Sequence, residues 1–178
     1  MSKLDAFESV FKSAAKTRFE AEAVNLKKVL IVTDLAASEV DTFVYAAKGF
    51  LAGLPNLEYT VSGLEKSVEA LLGLVEAGKP DLIATYRNLG TDAYKYPFSL
   101  GVRLDVFTQA TTTPVLVLPH PKAGTAAAHA MKNTMQVMVV TDHLTGDDRL
   151  VSVALALTQK GGTLTLTHVE DQDRFDYF

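Results

Sequence analysis

The apolar residues of this chain alternate between short continuous runs and longer stretches in which they recur every three or four residues. The continuous run Val29–Val32 is typical of a strand covered on both faces of a parallel sheet. The stretches at helical spacing lie between such runs, and neighbouring parallel strands need a crossover of that length. The pattern predicts strands near 28–33, 58–61, 81–86 and 114–118, with helices over 38–53, 64–78 and 99–109 between them.

This alternation of strands and helices predicts the α/β class, with a doubly wound, mostly parallel sheet. Sheets of this kind start in the middle and grow outward in both directions, so the first strand is expected to lie inside the sheet. Ser38 is a candidate N-cap of the first helix, and Ser99 is expected to begin the third.

An extension, residues 1–26, precedes the first strand. Residues 4–19 within it carry apolar side chains at helical spacing and a polar face with both signs of charge. That mixture favours a helix docked on protein over one lying on a membrane surface. The apolar positions are Leu4, Phe7, Val10, Phe11, Ala14 and Ala15.

The sequence pattern of the first strand, KVLIVTD at 28–34, recurs later in the chain as QVMVVTD at 136–142. We therefore predict a first repeat over 27–119, a linker rich in Ala, Pro and Gly over 120–134, and the start of a second repeat over 135–178. The second repeat supplies a strand, a helix over 146–159 and a strand over 163–169.

Composition removes several classes of function. Charged residues make up 21% of the chain and the net charge is −4, with Lys and Arg scattered, so a duplex-binding face is not expected. The absence of cysteine excludes disulfides, thiolate catalysis and Cys-ligated metal. No signal peptide and no apolar run of about 20 residues is visible, so we expect a soluble cytoplasmic protein without a membrane partner.

Chemistry-bearing motifs are sparse. No zincin, P-loop, dinucleotide-binding or nucleophile-elbow pattern occurs, and no catalytic set is predicted. In the second repeat, Asp142-His143 and the stretch His168 to Asp171 follow two strands at the edge where α/β sheets bind ligands. They could ligate a divalent metal or simply close the strands. Their spacing is too loose to predict a metal site.

Three pieces in order, VLIVTD, KPDLIATYR and SLGVRLDVFTQATTTPVLVLP, resemble the universal stress protein family. VMVVTDHLTGDD followed by GGTLTLTHVED resembles the start of a second domain of that family, and the match spans about residues 27–170. The resemblance implies an adenine-nucleotide-hydrolase-like fold and a tandem member whose second repeat is incomplete in this chain. It also implies pairing of sheets, either in a homodimer or with the remaining part of a second repeat, and an unidentified protein partner.

ATP-binding members of this family carry a phosphate loop of the form G-x2-G-x9-G followed by Ser or Thr, and an Asp that ends the first strand. Asp34, preceded by Thr33, matches that Asp, and Gly101 matches the last glycine. A glycine at the start of a helix has no side chain, so the backbone N–H groups there can approach a phosphate closely. Alternatively, Asp34 is a loop residue and Gly101 a small residue where a helix packs closely on the sheet.

The loop departs from the family pattern in three ways. With Gly90 as its second glycine, Arg87 stands at the first position, although its guanidinium could contact phosphate directly. Ten residues rather than nine separate Gly90 from Gly101, and Val102 replaces the hydroxyl residue. If nucleotide did bind, Gly101→Val would be expected to block it with little loss of fold.

The resemblance thus implies a dimerising stress-response or signalling module in which binding of ATP or AMP is weak or absent. Two alternatives stay open at this stage. One is an ATP-binding switch or slow ATP hydrolase. The other is a purely structural protein-interaction module. The residues of the candidate nucleotide site are Thr33, Asp34, Arg87, Gly90 and Gly101.

Overall fold

The computed structural model of the chain describes residues 19–63, 67–93, 99–123, 132–141 and 148–169. The chain divides into two compact units. We refer to Asn25–Thr134 as the large unit, and to Met1–Val24 together with Met135–Phe178 as the small unit.

The large unit is a four-stranded parallel sheet with helices between consecutive strands. Its strand order is β2-β1-β3-β4, and every neighbouring pair is parallel. The doubly wound α/β prediction is therefore confirmed, with the first strand inside the sheet. The elements are β1 (Lys28–Thr33), α1 (Ala37–Phe50), β2 (Glu58–Gly63), α2 (Val68–Gly78), β3 (Leu82–Tyr86), α3 (Val102–Ala110) and β4 (Val115–Leu118).

The strand order determines which helix lies on which face. The chain moves outward from β1 to β2 and then returns across β1 to β3 and β4. With right-handed crossovers, this path places α1 on one face and both α2 and α3 on the other. Phe43 of α1 accordingly meets Tyr86 of β3, and α2 contacts α3. Because both faces are covered, the run Val29–Val32 is buried throughout.

Three helix starts of the large unit differ from the sequence prediction, and one of them is that of α2, which was predicted from residue 64 but begins at Val68. Helix α1 begins at Ala37 after Ala36, which has extended backbone and no side-chain cap, so Ser38 lies in the first turn and the N-cap prediction was wrong. Helix α3 begins at Val102 rather than at Ser99, because Gly101 has φ 92° and cannot be part of the helix. Helix α2 has Ser67 as its cap, whose Oγ accepts from Ala70 N at 3.2 Å.

The small unit contains the predicted β-α-β of the second repeat: β5 (Gln136–Thr141), α4 (Asp148–Leu157) and β6 (Thr163–His168). Strands β5 and β6 are parallel and in register over six residue pairs. Of the segment predicted as a linker, Pro121–Ala123 forms one turn of 3-10 helix, and residues 124–131 lie outside the described residues.

Residues 19–24 pack against the second repeat. Glu20 N donates to Asp148 Oδ2 at 3.4 Å, and Glu22 N donates to Ser152 Oγ at 3.0 Å. The Glu22 carboxylate also lies 3.9 Å from the Arg149 guanidinium. The predicted helix over 4–19 lies outside the described residues except for Phe19, which is not helical. Among the described helices, none has the length and apolar character that crossing a membrane requires.

Candidate functional site

The carboxyl ends of β1 and β3 are joined by hydrogen bonds that converge on the Tyr86 hydroxyl. Tyr86 Oη donates to Asp34 Oδ1 in a short hydrogen bond and accepts from Asp34 N at 2.9 Å. Thr33 Oγ1 lies 3.0 Å from the same oxygen, and because Tyr86 has one proton, already given to Asp34, Thr33 is the donor. Thr33 Oγ1 in turn accepts from Leu35 N at 3.1 Å.

The other oxygen of Asp34 holds the loop after β3. Gly90 N donates to Asp34 Oδ2 at 3.1 Å, and Gly90 has φ 74°, a conformation that favours glycine. Both carboxylate oxygens of Asp34 therefore have a partner within the protein. A ligand that used this carboxylate would have to compete with Tyr86 and Gly90.

Tyr86 is fully buried, and its ring fills the space between β1, β3 and the start of the segment after β4. Phe43 meets the ring edge-to-face with centroids 4.9 Å apart, and His120 does so at 5.0 Å. Burial, and secondly the hydrogen bond to Asp34, raise the pKa of Tyr86 to about 12. At neutral pH the hydroxyl is therefore protonated and acts as a donor.

His120 is the third aromatic residue of this cluster, and it is also buried. Its Nδ1 accepts from Lys122 N at 3.1 Å, so in this arrangement the ring proton is carried by Nε2. Burial lowers the pKa of His120, Lys122 lowers it further, and the negative charge of Asp34 opposes both. A neutral imidazole is thus the form that fits here.

A second cluster lies beside the first, where the loop after β3 meets the start of α3. Arg87 Nε and Nη2 both donate to Ser99 O, at 3.2 and 2.9 Å. Asn88 N donates to Leu100 O at 2.7 Å, and Asn88 has φ 58°. The guanidinium of Arg87 therefore ties two ends of the loop together.

Gly101 is required by this packing. A Cβ at Gly101 would lie 2.9 Å from Asn88 Cα and 3.0 Å from Asn88 Oδ1, and Gly101 has φ 92°. Its N–H donates to Ser99 Oγ at 2.9 Å. The expectation that Gly101→Val would spare the fold does not agree with this geometry, because a side chain would collide with backbone. The alternative reading, close packing of a helix start, is the one that the contacts support.

A small cleft of about 150 Å³ opens next to the Tyr86 cluster. Its charged and titratable lining residues are Asp34, Glu39, Asp92, His120 and Lys122. Sites for drug-sized ligands are usually about 300–1,000 Å³. Three carboxylates against one ammonium group, in a cleft of this size, suit neither the bulk nor the charge of an adenine nucleotide.

The structure thus joins Thr33, Asp34 and Gly90 in one network, and it places Arg87 and Gly101 in the neighbouring loop contact. The sequence analysis missed Tyr86, His120 and Asn88. A hint existed for Tyr86, since it is an aromatic residue with a hydroxyl at the end of a buried strand, β3.

The candidate metal ligands Asp142, His143, Glu170 and Asp171 lie outside the described residues. Within the described ranges, no three His, Asp or Glu side chains are grouped in a way that could hold a metal ion.

No family model, curated protein or solved structure matches the chain.

Proposed function

We propose that the chain is a universal stress protein-like module for stress response or signalling, acting through protein contacts with weak or absent binding of adenine nucleotide. The resemblance of its motifs, in their order, supports the family. One observation supports the lack of nucleotide binding: at the ends of β1 and β3 the buried Tyr86 donates its hydroxyl to the Asp34 carboxylate. These strand ends are the edge where doubly wound sheets bind ligands.

The cost of admitting a nucleotide can be estimated. Breaking a hydrogen bond between a tyrosine hydroxyl and a carboxylate costs about 1.5–3 kcal/mol. Moving a buried aromatic ring out of its packing costs roughly 3 kcal/mol or more. Together these would weaken binding by a factor of about 10³ or more relative to an open site. The alternative, an ATP-binding switch or slow hydrolase, requires this rearrangement.

Calorimetric titration of the purified chain with ATP and with AMP, each with Mg²⁺, tests the proposal. We expect no saturable heat up to about 1 mM nucleotide, consistent with the factor above. Mass spectrometry of the protein as purified should find no copurified nucleotide. Saturable binding in the micromolar range that Asp34→Asn abolishes would establish the alternative instead.

We also propose self-association through the open edge of β5. In the large unit, β1 pairs with β2 on one side and β3 on the other, whereas in the described residues β5 pairs with β6 alone. An unpaired strand edge is a template for another strand, and a two-fold axis would join two copies of β5. Sedimentation equilibrium should give twice the 19.2 kDa chain mass at micromolar concentration. A stable monomer would refute self-association without bearing on nucleotide binding.

A further inference from the structure

The side chain of His120 lies between an aromatic neighbour and a polar opening. His120 follows β4 closely in the chain, and it is only 7% exposed. Its ring meets that of Tyr86 edge-to-face, with centroids 5.0 Å apart. The same side chain forms part of the wall of the cleft of about 150 Å³. Because a buried charge is costly, the charge of the imidazole determines which of these two surroundings suits it better.

The charged and titratable groups around this ring come from several parts of the large unit. They are Asp34 after β1, Glu39 of α1, Tyr86 of β3, Asp92 in the loop after β3, and Lys122 of the ring's own segment. On the side of the cleft, carboxylates outnumber the one ammonium group. That side therefore favours a positive charge, whereas the side of Tyr86 is aromatic and buried.

A lone pair of the imidazole holds the turn that follows. His120 Nδ1 accepts from Lys122 N at 3.1 Å, and Lys122 belongs to the turn of 3-10 helix Pro121–Ala123. A protonated imidazole carries a proton on both ring nitrogens and has no lone pair to offer. Two N–H groups would then point at each other over the same distance. Protonation of His120 is therefore incompatible with this hydrogen bond.

The burial of the ring acts in the same direction. A buried charge needs a partner, and the Asp34 carboxylate already accepts from Tyr86 Oη and Gly90 N. Burial, the largest influence, lowers the pKa of His120, although the negative charges of Asp34 and Glu39 oppose it. Against Tyr86, the neutral ring is therefore the favoured form.

We propose that His120 is a pH-sensitive latch: the neutral ring packs on Tyr86 and holds the turn Pro121–Ala123, and the protonated ring releases both and turns into the cleft. Glu39 and Asp92 line the cleft and would pair with the imidazolium there. The ring is already part of the cleft wall, so the movement is a change of side-chain rotamer. The latch acts on the start of the segment that joins β4 to β5 in the sequence. It depends neither on nucleotide binding nor on self-association.

Proton linkage gives the size of the effect. The released ring titrates near pH 6.5, as an ordinary histidine does, whereas the ring on Tyr86 binds a proton more weakly. Between about pH 7 and pH 5, the released arrangement should therefore gain on the closed one by a factor on the order of ten. At neutral pH the cluster keeps its one favoured arrangement, and the proton is what makes a second one accessible.

A nuclear magnetic resonance titration of the full chain tests the latch. At about pH 7.5 the nitrogen chemical shifts of His120 should place the ring proton on Nε2, and nuclear Overhauser effects should join the ring to Tyr86. As the pH falls to about 5, His120 should become protonated and lose these effects. With the same midpoint, the protection factor of the Lys122 amide in hydrogen exchange should fall about tenfold. The Ile31 amide, inside β1, should keep its protection.

Four results of this titration would overturn the proposal. His120 could take up its proton and keep the Overhauser effects to Tyr86. It could stay neutral down to about pH 5 in the folded chain. The protection of the Lys122 amide could fail to follow the protonation of His120. Finally, Ile31 could lose its protection with the same midpoint, which would indicate unfolding of the sheet rather than release of a latch.

Variants test the two sides of the latch separately. In His120→Gln the protection factor of the Lys122 amide should no longer depend on pH, because glutamine does not titrate. Glu39→Gln should lower the midpoint of release by about half a pH unit, because it removes a carboxylate that pairs with the imidazolium. Glu69→Gln is the matched control and should leave the midpoint unchanged, since Glu69 also lies in the first turn of a helix, but in α2 on the other face of the sheet.

Two outcomes with these variants would also overturn the proposal. One is a pH dependence of Lys122 protection that persists in His120→Gln. The other is an equal midpoint in the natural chain and in both glutamate variants, because the cleft would then not be where the imidazolium is held.

Discussion

The hydroxyl of Tyr86 holds the ends of β1 and β3 together, so Tyr86→Phe is the sharpest test of the network. The substitution keeps the buried ring against Phe43 and His120 but removes the partner of Asp34 Oδ1, Asp34 N and Thr33 Oγ1. A hydrogen bond to a charged group contributes about 1.5–3 kcal/mol, and partly buried polar groups left without partners add to the loss. We expect the large unit to lose about 2–3 kcal/mol of unfolding free energy.

Urea unfolding followed by circular dichroism measures this loss. At about 4 °C per kcal/mol for a unit of this size, the thermal midpoint should also fall by roughly 10 °C. Tyr59→Phe is the matched control, because its hydroxyl has no hydrogen-bond partner in the described part of the chain, and it should cost less than about 0.5 kcal/mol. A double-mutant cycle of Tyr86→Phe with Asp34→Asn should give a coupling of about 1–2 kcal/mol. If Tyr86→Phe costs no more than Tyr59→Phe, or the coupling is zero, the network does not stabilise the fold.

Two further predictions concern residues beside this network. Gly101→Ala should destabilise the large unit by about 2–4 kcal/mol, because it forces a Cβ against Asn88 at positive φ. Gly73→Ala, in α2 with open space around it, should instead stabilise by about 0.5–1 kcal/mol, and urea midpoints in the same direction for both would contradict the reasoning. The lowered pKa of His120 means that the unfolded chain binds more protons near and below pH 6.5, so stability should fall as pH drops from about 7 to 5. His120→Gln should flatten that slope in urea unfolding at each pH, and a slope left unchanged by this substitution would contradict the reasoning.

The sheet could be predicted from the sequence because its inner strands, β1 and β3, are buried on both faces. The run Val29–Val32 has no polar interruption, and only a strand inside a parallel sheet requires that. The repeat of this run at 136–142 also predicted β5 and its parallel partner correctly, although Met138 and Val140 on one face of β5 are more than half exposed. The pattern of apolar residues was thus enough to predict the strands for which burial determines that pattern.

Helix starts were predicted less well because they depend on backbone conformation. Ser99 and Ser38 both have the side chain of an N-cap, yet α3 begins after Gly101 and α1 after Ala36. At Gly101 the positive φ is imposed by close approach to Asn88, a residue 13 positions earlier in the chain. Such a contact leaves no periodic signal in the sequence.

The role of Asp34 could be located but not decided from the sequence. An Asp at the end of the first strand suits a ligand and a structural hydrogen bond equally well. The difference lies in Tyr86, 52 residues later, whose hydroxyl reaches Asp34 only because β3 lies beside β1. A strand-ending Tyr in an apolar run would have to be recognised as a partner for that carboxylate, and no local pattern specifies this.

The same network limits how the protein could act as a switch. A ligand can shift a conformational equilibrium only through a difference in affinity between two states, so a nucleotide switch would need two arrangements of the site. Tyr86 is fully buried between Phe43 and His120, and each polar group of its network has a partner. Such a packed and satisfied cluster favours one arrangement over any other. The apolar face of β5 differs in this respect, because Met138 and Val140 are 62% and 55% exposed. A change of conformation at this face of β5 would therefore disrupt less packing than one at the Tyr86 cluster.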